Sequence, residues 1–96
     1  MKLVYSRRAL ADLGEIATYY SVSASPAIAQ SIERRLSDVM ERICRIPEAA
    51  PLVSQRSQIR VVTVVRYPYR IFYRVRDDAV EILHIRHTSR RSLMGI

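Results

Sequence analysis

Arginine side chains that alternate with apolar residues are the part of this sequence best suited to binding chemistry. Nine of the sixteen basic residues but only three of the nine acidic residues lie after position 55, so this part carries +6 of the formal charge of +7. In the run over residues 69–76, arginine occupies positions 70, 74 and 76. A guanidinium is a planar, permanently charged donor that matches phosphate or carboxylate oxygens. The pattern predicts a surface that binds an acidic partner.

His84 and His87 are the only two histidines, and imidazole is the side chain suited to proton transfer near neutral pH. Because they are three positions apart on a predicted strand, they point to opposite faces and do not form a metal site. We expect a half-buried, hydrogen-bonded His84 and a His87 at a surface or interface. The single Cys44 cannot form an internal disulfide, and no Cys/His cluster has zinc spacing, so no metal and no cofactor is expected.

The composition is that of one small globular domain. The 96 residues are 49% hydrophobic and 26% charged, which favours a folded chain over a disordered one. No stretch approaches the roughly 18–20 apolar residues of a membrane span, and early charges argue against a signal peptide. We expect a single domain over residues 1–96 in the cytoplasm, with a flexible or partner-ordered tail over about residues 88–96.

Apolar spacing predicts a strand and two helices in the first half. Residues 2–5 form a short strand, Ser6 caps a helix over residues 7–22, and Ser25 begins a second helix that Pro47 ends. The short connection predicts an antiparallel helical hairpin. The expected core stripes are Leu10, Leu13, Ile16 or Ala17, and Tyr20 in the first helix, and Ile28, Ile32, Leu36, Val39, Ile43 and Ile46 in the second.

The second half predicts a loop over residues 48–58 and then three strands at about 59–65, 69–76 and 79–87. Tight connections between the strands make them an antiparallel meander. The order β-α-α-β-β-β predicts an α+β fold, in which a two-helix hairpin packs on one face of a small antiparallel sheet.

Alternation also predicts which side chains share a face of the sheet. In the middle strand, one set is expected to face the helices (Tyr69, Ile71, Tyr73 and Val75) and the other to face away (Arg70, Phe72, Arg74 and Arg76). The last strand is apolar at both parities, so either set of its side chains can face the core. That run also indicates that both faces of the strand are partly covered.

Two segments of the chain resemble the RelE/ParE toxins of bacterial type II toxin–antitoxin systems, and the ParE branch more closely. The first is residues 6–16 (SRRALADLGEI), and the second is residues 69–75 (YRIFYRV) followed by residues 80–87 (VEILHIRH). The resemblance spans about residues 3–91 and implies the fold described above. It also implies a toxin that is neutralised by a cognate antitoxin with an acidic segment that wraps around it.

The resemblance implies two possible targets. In the ParE branch the toxin inhibits DNA gyrase without known catalysis of its own, and this is our first expectation. In the RelE branch it cleaves messenger RNA on the ribosome without a metal, with Arg70 and Arg90 as cations, Arg60 as a weaker match and His87 for proton transfer. The tyrosine that those nucleases carry near the C-terminus has no counterpart here, which argues against catalysis. A third possibility is a homologue without toxicity that only binds the antitoxin.

The antitoxin is expected to dock through an acidic, amphipathic segment that packs an apolar residue against Phe72 or against a Val62/Val64 patch. The expected partner-binding residues are Phe72, Val62, Val64, Arg66, Arg70, Arg74 and Arg86. Arg70 is the best single candidate for function. The alternative for Arg70 is a salt bridge to Glu81, Asp77 or Asp78. Arg74 and Arg76 are expected to be solvated surface charges in the free chain, and the alternative for Phe72 is a stacking platform for a base.

Overall fold

The computed structural model describes residues 1–88 and contains five strands and two helices within that range. In chain order the elements are β1 (Lys2–Tyr5), α1 (Arg7–Ser23), α2 (Pro26–Arg45), β2 (Leu52–Ser54), β3 (Ile59–Thr63), β4 (Tyr69–Arg76) and β5 (Ala79–His87). Neither helix within this range has the length and apolar character that a bilayer crossing requires.

Both helices begin at the predicted caps. The Ser6 hydroxyl accepts a hydrogen bond from the Ala9 N–H at 3.0 Å, and the Ser25 hydroxyl accepts one from the Ile28 N–H at 3.2 Å. Each bond satisfies one of the backbone donors that a helix start leaves without an intrahelical partner. Pro26 adds a preset φ in the first turn of α2, where its missing N–H costs nothing.

The five strands form one sheet in the order β1-β5-β4-β3-β2. β3, β4 and β5 make the predicted antiparallel meander. β1 pairs with β5 in parallel, so the sheet is mixed; the helical hairpin supplies the long connection that parallel strands need. The loop predicted over residues 48–58 is wrong in part, because β2 pairs with β3 there. β2 has only three residues, which are too few to show the alternation of apolar and polar side chains that identifies a strand in a sequence.

The helices cover one face of the sheet and bury most of the predicted stripes. The ends of those stripes were predicted wrongly, since Leu10, Ile28 and Ile46 are 56%, 45% and 61% exposed. The buried face of α1 centres on Ala9, Asp12 and Ile16, with Leu13 and Tyr20 half-buried; that of α2 comprises Ala29, Ile32, Leu36, Val39, Met40 and Ile43. Ala9 takes the buried position that the predicted stripe gave to Leu10. Its small side chain lets α1 lie close to the sheet.

A β-bulge decides the orientation of β5. Tyr73 pairs with Ile82 and Phe72 pairs with His84, so Leu83 is the additional residue between them. The bulge shifts the alternation by one position. Val80, Ile82 and Ile85 are therefore all buried in the core, although simple alternation cannot place all three on one face. Glu81, Leu83, His84 and Arg86 lie on the other face.

β3 ends at Thr63 rather than near Val65. The chain bends over residues 65–68, and Arg66 has a φ of 81° in the left-handed region. By contrast, the predicted two-residue turn between β4 and β5 is present. Asp77 and Asp78 have φ values of 52° and 61°, which a primed hairpin turn requires and aspartate tolerates.

Candidate binding surfaces on the two faces of the sheet

The face of the sheet that points away from the helices is called the open face here. Its centre is built by β3, β4 and β5, whose register places their side chains in lateral rows. Side chains in one row have Cβ atoms about 4.5–5.5 Å apart. One row is Thr63, Arg70 and Arg86; the next is Val61, Phe72 and His84; a third contains Arg74 and Glu81.

Arg70 and Arg86 are direct cross-strand neighbours, and both are exposed. No acidic side chain within residues 1–88 forms an ion pair with either of them. The alternative of an Arg70 salt bridge to Glu81 is wrong, because the register places Arg74 opposite Glu81 and their side chains pair at 2.8 Å. The expectation of Arg74 as a solvated charge is wrong for the same reason.

Phe72 and His84 form a stacked ring pair in the adjacent row, with centroids 5.9 Å apart and planes 22° apart. The His84 Nδ1 lies 2.7 Å from the Asp12 Oδ2, so the prediction of a half-buried, hydrogen-bonded His84 is confirmed. This bond fixes the orientation of the imidazole ring. The open face thus presents two adjacent cations and, beside them, two rigid rings.

Asp12 is the residue on which this arrangement depends, and the sequence prediction missed it. Its carboxylate is only 8% exposed and accepts hydrogen bonds from the Ile85 N–H at 2.9 Å and from the Arg8 Nε at 3.2 Å, in addition to its contact with His84. β1 pairs with β5 only as far as Ile82, so the Ile85 N–H has no strand partner on that side. The sequence did contain a signal for this role, because Asp12 is an acidic residue at helical spacing between Ala9 and Ile16 on the buried face of α1.

Ser6 holds the start of α1 against the same bulge. Its N–H donates to the Ile82 carbonyl at 2.9 Å, and its hydroxyl donates to the Leu83 carbonyl at 2.8 Å. The first turns of α1 therefore contact four consecutive positions of the bulged strand, residues 82–85, through Ser6 and Asp12. These contacts couple the helix to the His84 ring.

The other proton-transfer candidate, His87, lies on the opposite side of the sheet from Arg70. His87 pairs with Tyr69, whose side chain is buried toward the helices, and the two rings meet edge to face at 5.3 Å. Arg60 also lies on the helix side, opposite Tyr73. Arg90 lies outside the described residues. The structure therefore separates Arg70 from the other described members of the predicted nuclease set.

Arg60 instead holds the segment that follows α2. Its Nη1 donates to the carbonyl oxygens of Glu48 and Ala50 at 3.1 and 2.6 Å. The Tyr73 hydroxyl donates to the Pro47 carbonyl at 2.7 Å. β3 and β4 thus anchor the chain between α2 and β2 through two side chains.

A cleft of about 310 Å³ opens on the helix side between α2 and β3, and it is called the α2–β3 cleft here. Its lining is mainly apolar, with arginines at its α2 side: Arg35, Val39, Arg42, Ile43, Ile46, Ala49, Ala50, Pro51, Val62, Thr63, Val65 and Tyr73. Ile46 and Val65 are 61% and 68% exposed.

Val62 and Val64 do not form the expected surface patch, because one lines the α2–β3 cleft and the other lies in the core. Val62 is half-buried and lines the α2–β3 cleft. Val64 is only 3% exposed and belongs to the core, so it offers almost no surface for the predicted contact with a partner. Its N–H donates to the Tyr69 carbonyl at 2.9 Å, which draws it inward just after β3 ends. Arg66 lies beyond, in the exposed bend.

Two tyrosines on the helix side have shifted acidities. Burial raises the pKa of Tyr73, and the nearby Arg60 guanidinium and a backbone hydrogen bond at Ala50 offset part of that rise. Burial also raises the pKa of Tyr5, with a smaller contribution from Cys44. Both hydroxyls donate hydrogen bonds, Tyr5 to the Met40 sulfur at 3.3 Å. Among residues 1–88, no three His, Cys, Asp or Glu side chains are grouped to hold a metal ion.

The sequence and the fold both match known toxins. The family model described as the ParE toxin of the type II toxin–antitoxin system, parDE, matches residues 3–92. The chain is 37% identical over 89 residues to Toxin RelE2 of Caulobacter vibrioides, covering 93% of this chain and 97% of that protein.

Solved structures agree with this assignment. A structure of a chromosomal ParDE TA system from P. aeruginosa superposes with a TM-score of 0.81 at 26% identity, covering 93% of this chain and 97% of that one. The isolated E. coli RelE toxin superposes with a TM-score of 0.60 at 16% identity, covering 97% and 89%, and shares the fold.

These matches define the class as toxins of type II toxin–antitoxin systems with the RelE/ParE fold. Within that class, the chain belongs to the ParE toxin family. The predicted family and the predicted α+β fold are confirmed.

Proposed function

We propose that this chain is a ParE-like toxin that acts in the cytoplasm by inhibiting DNA gyrase, without catalysis of its own. The observation that carries the proposal is the separation of Arg70, on the open face, from His87 and Arg60, on the helix side. The match of residues 3–92 to the ParE family supports it.

Cleavage of RNA requires a proton-transfer group and cations around one phosphate. A general base must lie about 2.6–3.2 Å from the proton it removes, directly or through one water, and the cations must contact the oxygens on which charge develops. The sheet itself lies between Arg70 and the ring of His87. Arg60 already donates to two backbone carbonyls. These residues therefore do not converge on one phosphate, which favours the gyrase function.

The cognate antitoxin is expected to occupy the α2–β3 cleft. An acidic, amphipathic segment matches this surface, because apolar side chains can fill the cleft while acids meet Arg35 and Arg42. Exposed Ile46 and Val65 add apolar contact area at its rim. Desolvated apolar contacts supply most of the affinity in such interfaces, and charge complementarity speeds association.

The target surface is expected on the helical hairpin. Leu10 and Val22 are 56% and 81% exposed on α1, although neither contributes to the core cluster. Because the core does not use these two side chains, both are available for contact with another protein. Replacement of either by aspartate is expected to weaken gyrase inhibition and to leave the α2–β3 cleft intact.

The experiment that tests the proposal measures gyrase supercoiling and ribosome-programmed cleavage of messenger RNA with one purified preparation. Blocked supercoiling with intact message is the expected result. His87→Ala is expected to inhibit gyrase as strongly as the wild type. Cleaved message with unaffected gyrase would overturn the proposal and would direct attention to His84, the imidazole that shares a face with Arg70. A chain that is harmless in both assays would overturn it as well.

A further inference from the structure

A second cleft, of about 320 Å³, opens between the two helices, and it is called the α1–α2 cleft here. It uses a different side of α2 from the α2–β3 cleft, and none of the described residues lines both. Its apolar lining comes from α1, α2 and the end of β1: Leu13, Ile16, Leu36, Met40 and Tyr5.

Gly14 lines this cleft, and the fold itself does not explain why a glycine is there. It is an exposed residue in the interior of α1, where glycine is less favourable than alanine. A Cβ atom added to Gly14 would meet no heavy atom of the rest of the described chain within 4 Å, so internal packing does not require glycine. Close approach of another molecule to the helix backbone is a reason for glycine that remains.

The α1–α2 cleft and the α2–β3 cleft differ in the sign of their charge. Glu33 supplies the charge in the lining of the α1–α2 cleft, whereas Arg35 and Arg42 supply it in the α2–β3 cleft. Glu33 is exposed and forms no ion pair within residues 1–88. An available carboxylate beside an apolar cleft is complementary to a basic amphipathic segment of another protein.

We propose that the α1–α2 cleft is the contact between this toxin and its target, and that it binds a basic amphipathic segment of gyrase. An apolar side chain of that segment fills the cleft beside Gly14, and a lysine or arginine pairs with Glu33. Leu10 lies one turn before Gly14 on α1 and is 56% exposed, so it extends the apolar contact. The inference rests on the proposed inhibition of gyrase and names the surface responsible for it.

Charge distinguishes this occupant from two others. An acidic segment of the antitoxin would bring carboxylates next to Glu33, and like charges at a contact are unfavourable, whereas Arg35 and Arg42 suit such a segment. A second copy of the chain also carries a formal charge of +7, so net repulsion opposes the association of two copies.

The test measures the affinity of the full chain for purified gyrase and for the cognate antitoxin by biolayer interferometry, together with inhibition of supercoiling. Gly14→Leu fills the cleft. Its matched control is Ala11→Leu, which adds the same side chain at an exposed position of α1 outside the cleft. Glu33→Lys reverses the charge of the cleft, and Asp38→Lys makes the same change at an exposed position of α2 outside both clefts.

We expect Gly14→Leu to weaken gyrase affinity and inhibition about 10-fold or more, because its side chain occupies the space that the target needs. The same variant should keep its antitoxin affinity and raise the melting temperature by about 4 °C, since leucine favours a helix more than glycine does. A toxin that is more stable but less active excludes misfolding as the cause. Glu33→Lys should also weaken gyrase binding about 10-fold or more, and both controls should stay within about 2-fold of the wild type.

The possible failures are distinguishable from one another. If the wild type and Gly14→Leu inhibit gyrase equally, the inference is overturned and the proposed function stands. If the wild type does not affect gyrase, the proposed function is overturned and the inference with it. Equal losses from Glu33→Lys and Asp38→Lys would overturn the pairing at Glu33, because binding would then report net charge alone.

Two further results would overturn the inference by giving the α1–α2 cleft another occupant. Loss of antitoxin affinity at unchanged gyrase affinity in Gly14→Leu would assign the cleft to the antitoxin. Self-association of the wild type in analytical ultracentrifugation, abolished by Gly14→Leu but not by Ala11→Leu, would assign it to a second copy of the chain.

Discussion

The open face and the α2–β3 cleft differ in the chemistry of their accessible side chains. On the open face the accessible groups are Arg70, Arg86 and a fixed pair of rings, held by the buried Asp12. In the cleft they are apolar side chains, and the nearby Arg60 is occupied by backbone carbonyls. The arginines of one chain thus serve two purposes, depending on whether the register gives them a partner.

The difference shows that charge counting alone does not reveal which arginines are accessible to a partner. The basic strands suggested a single basic face for the antitoxin. Arg60 and Arg74 instead stabilise the fold, through carbonyls and through Glu81. A surface charge is available for binding only where the fold leaves it without a partner, so the two surfaces can be altered independently.

The largest effect is expected from loss of Asp12. Asp12→Ala leaves the buried Ile85 N–H without an acceptor and releases His84, so the free energy of unfolding should fall by about 2–3 kcal/mol. Denaturant unfolding measures it, with Asp38→Ala on the exposed side of α2 as the control, expected within about 0.5 kcal/mol of the wild type. A loss below about 1 kcal/mol for Asp12→Ala would show that the open face does not depend on this carboxylate.

Antitoxin binding is expected to depend on the cleft and not on the open face. Ile46→Asp places a charge in the exposed rim of the cleft and should weaken binding about 30-fold or more, the effect of removing an interface hot spot. Titration calorimetry with the cognate antitoxin measures it. Val4→Asp adds the same charge to an exposed position on β1 and should have little effect. A larger loss of antitoxin affinity for Val4→Asp than for Ile46→Asp would contradict the assignment of the α2–β3 cleft to the antitoxin.

Arg60 is expected to stabilise the wall of the α2–β3 cleft, because it holds the segment between α2 and β2. Arg60→Met keeps the apolar stem but removes both hydrogen bonds to the carbonyls of Glu48 and Ala50, which should cost about 1–2 kcal/mol of folding stability. Antitoxin affinity should fall together with the stability. Arg70→Met on the open face is the control and should change antitoxin affinity little. Equal losses of antitoxin affinity from the two variants would contradict the assignment of the α2–β3 cleft to the antitoxin.

Relief of the charge conflict on the open face is expected to stabilise the protein. Arg86→Glu converts the like-charge pair with Arg70 into an opposite-charge pair and should raise the free energy of unfolding by about 0.2–1 kcal/mol. Thermal unfolding at low salt measures the gain, which should shrink as salt increases. A decrease in stability would show that the two arginines do not repel each other in the folded chain.

The smallest effect is expected from alkaline pH on the helix side. The pKa values of Tyr5 and Tyr73 are raised by burial above the usual value of about 10, so folding favours their protonated forms. The resulting stability is complete below about pH 10 and is lost as pH rises through the raised values. Unfolding measured between about pH 9 and 11 should show this loss, and Tyr5→Phe/Tyr73→Phe should reduce its slope. An unchanged slope would exclude the two hydroxyls as its source.

Local signals in the sequence were sufficient for most of the fold. Ser6 and the Ser25-Pro26 pair marked both helix starts because capping is a property of neighbouring residues. The turn at Asp77 and Asp78 was readable for the same reason. The resemblance of the two quoted segments then identified the family.

The site was less predictable because it depends on long-range pairing. The bulge at Leu83 is invisible in a strand that is apolar at both parities, yet it places His84 on the same face as Arg70. Asp12 acquires its role only when α1 meets the unpaired edge of β5, 73 positions away. Likewise, the partner of Glu81 is set by the register of the hairpin and not by sequence proximity. Such relations require the assembled sheet.

The measurement that tests the account most directly is gyrase supercoiling with the wild-type chain and with Ile46→Asp, each with and without the cognate antitoxin. The account predicts that both toxins block supercoiling and that the antitoxin rescues gyrase from the wild type far more effectively than from Ile46→Asp. Supercoiling that neither toxin affects would contradict the proposed target. Equal rescue of both would contradict the assignment of the α2–β3 cleft to the antitoxin.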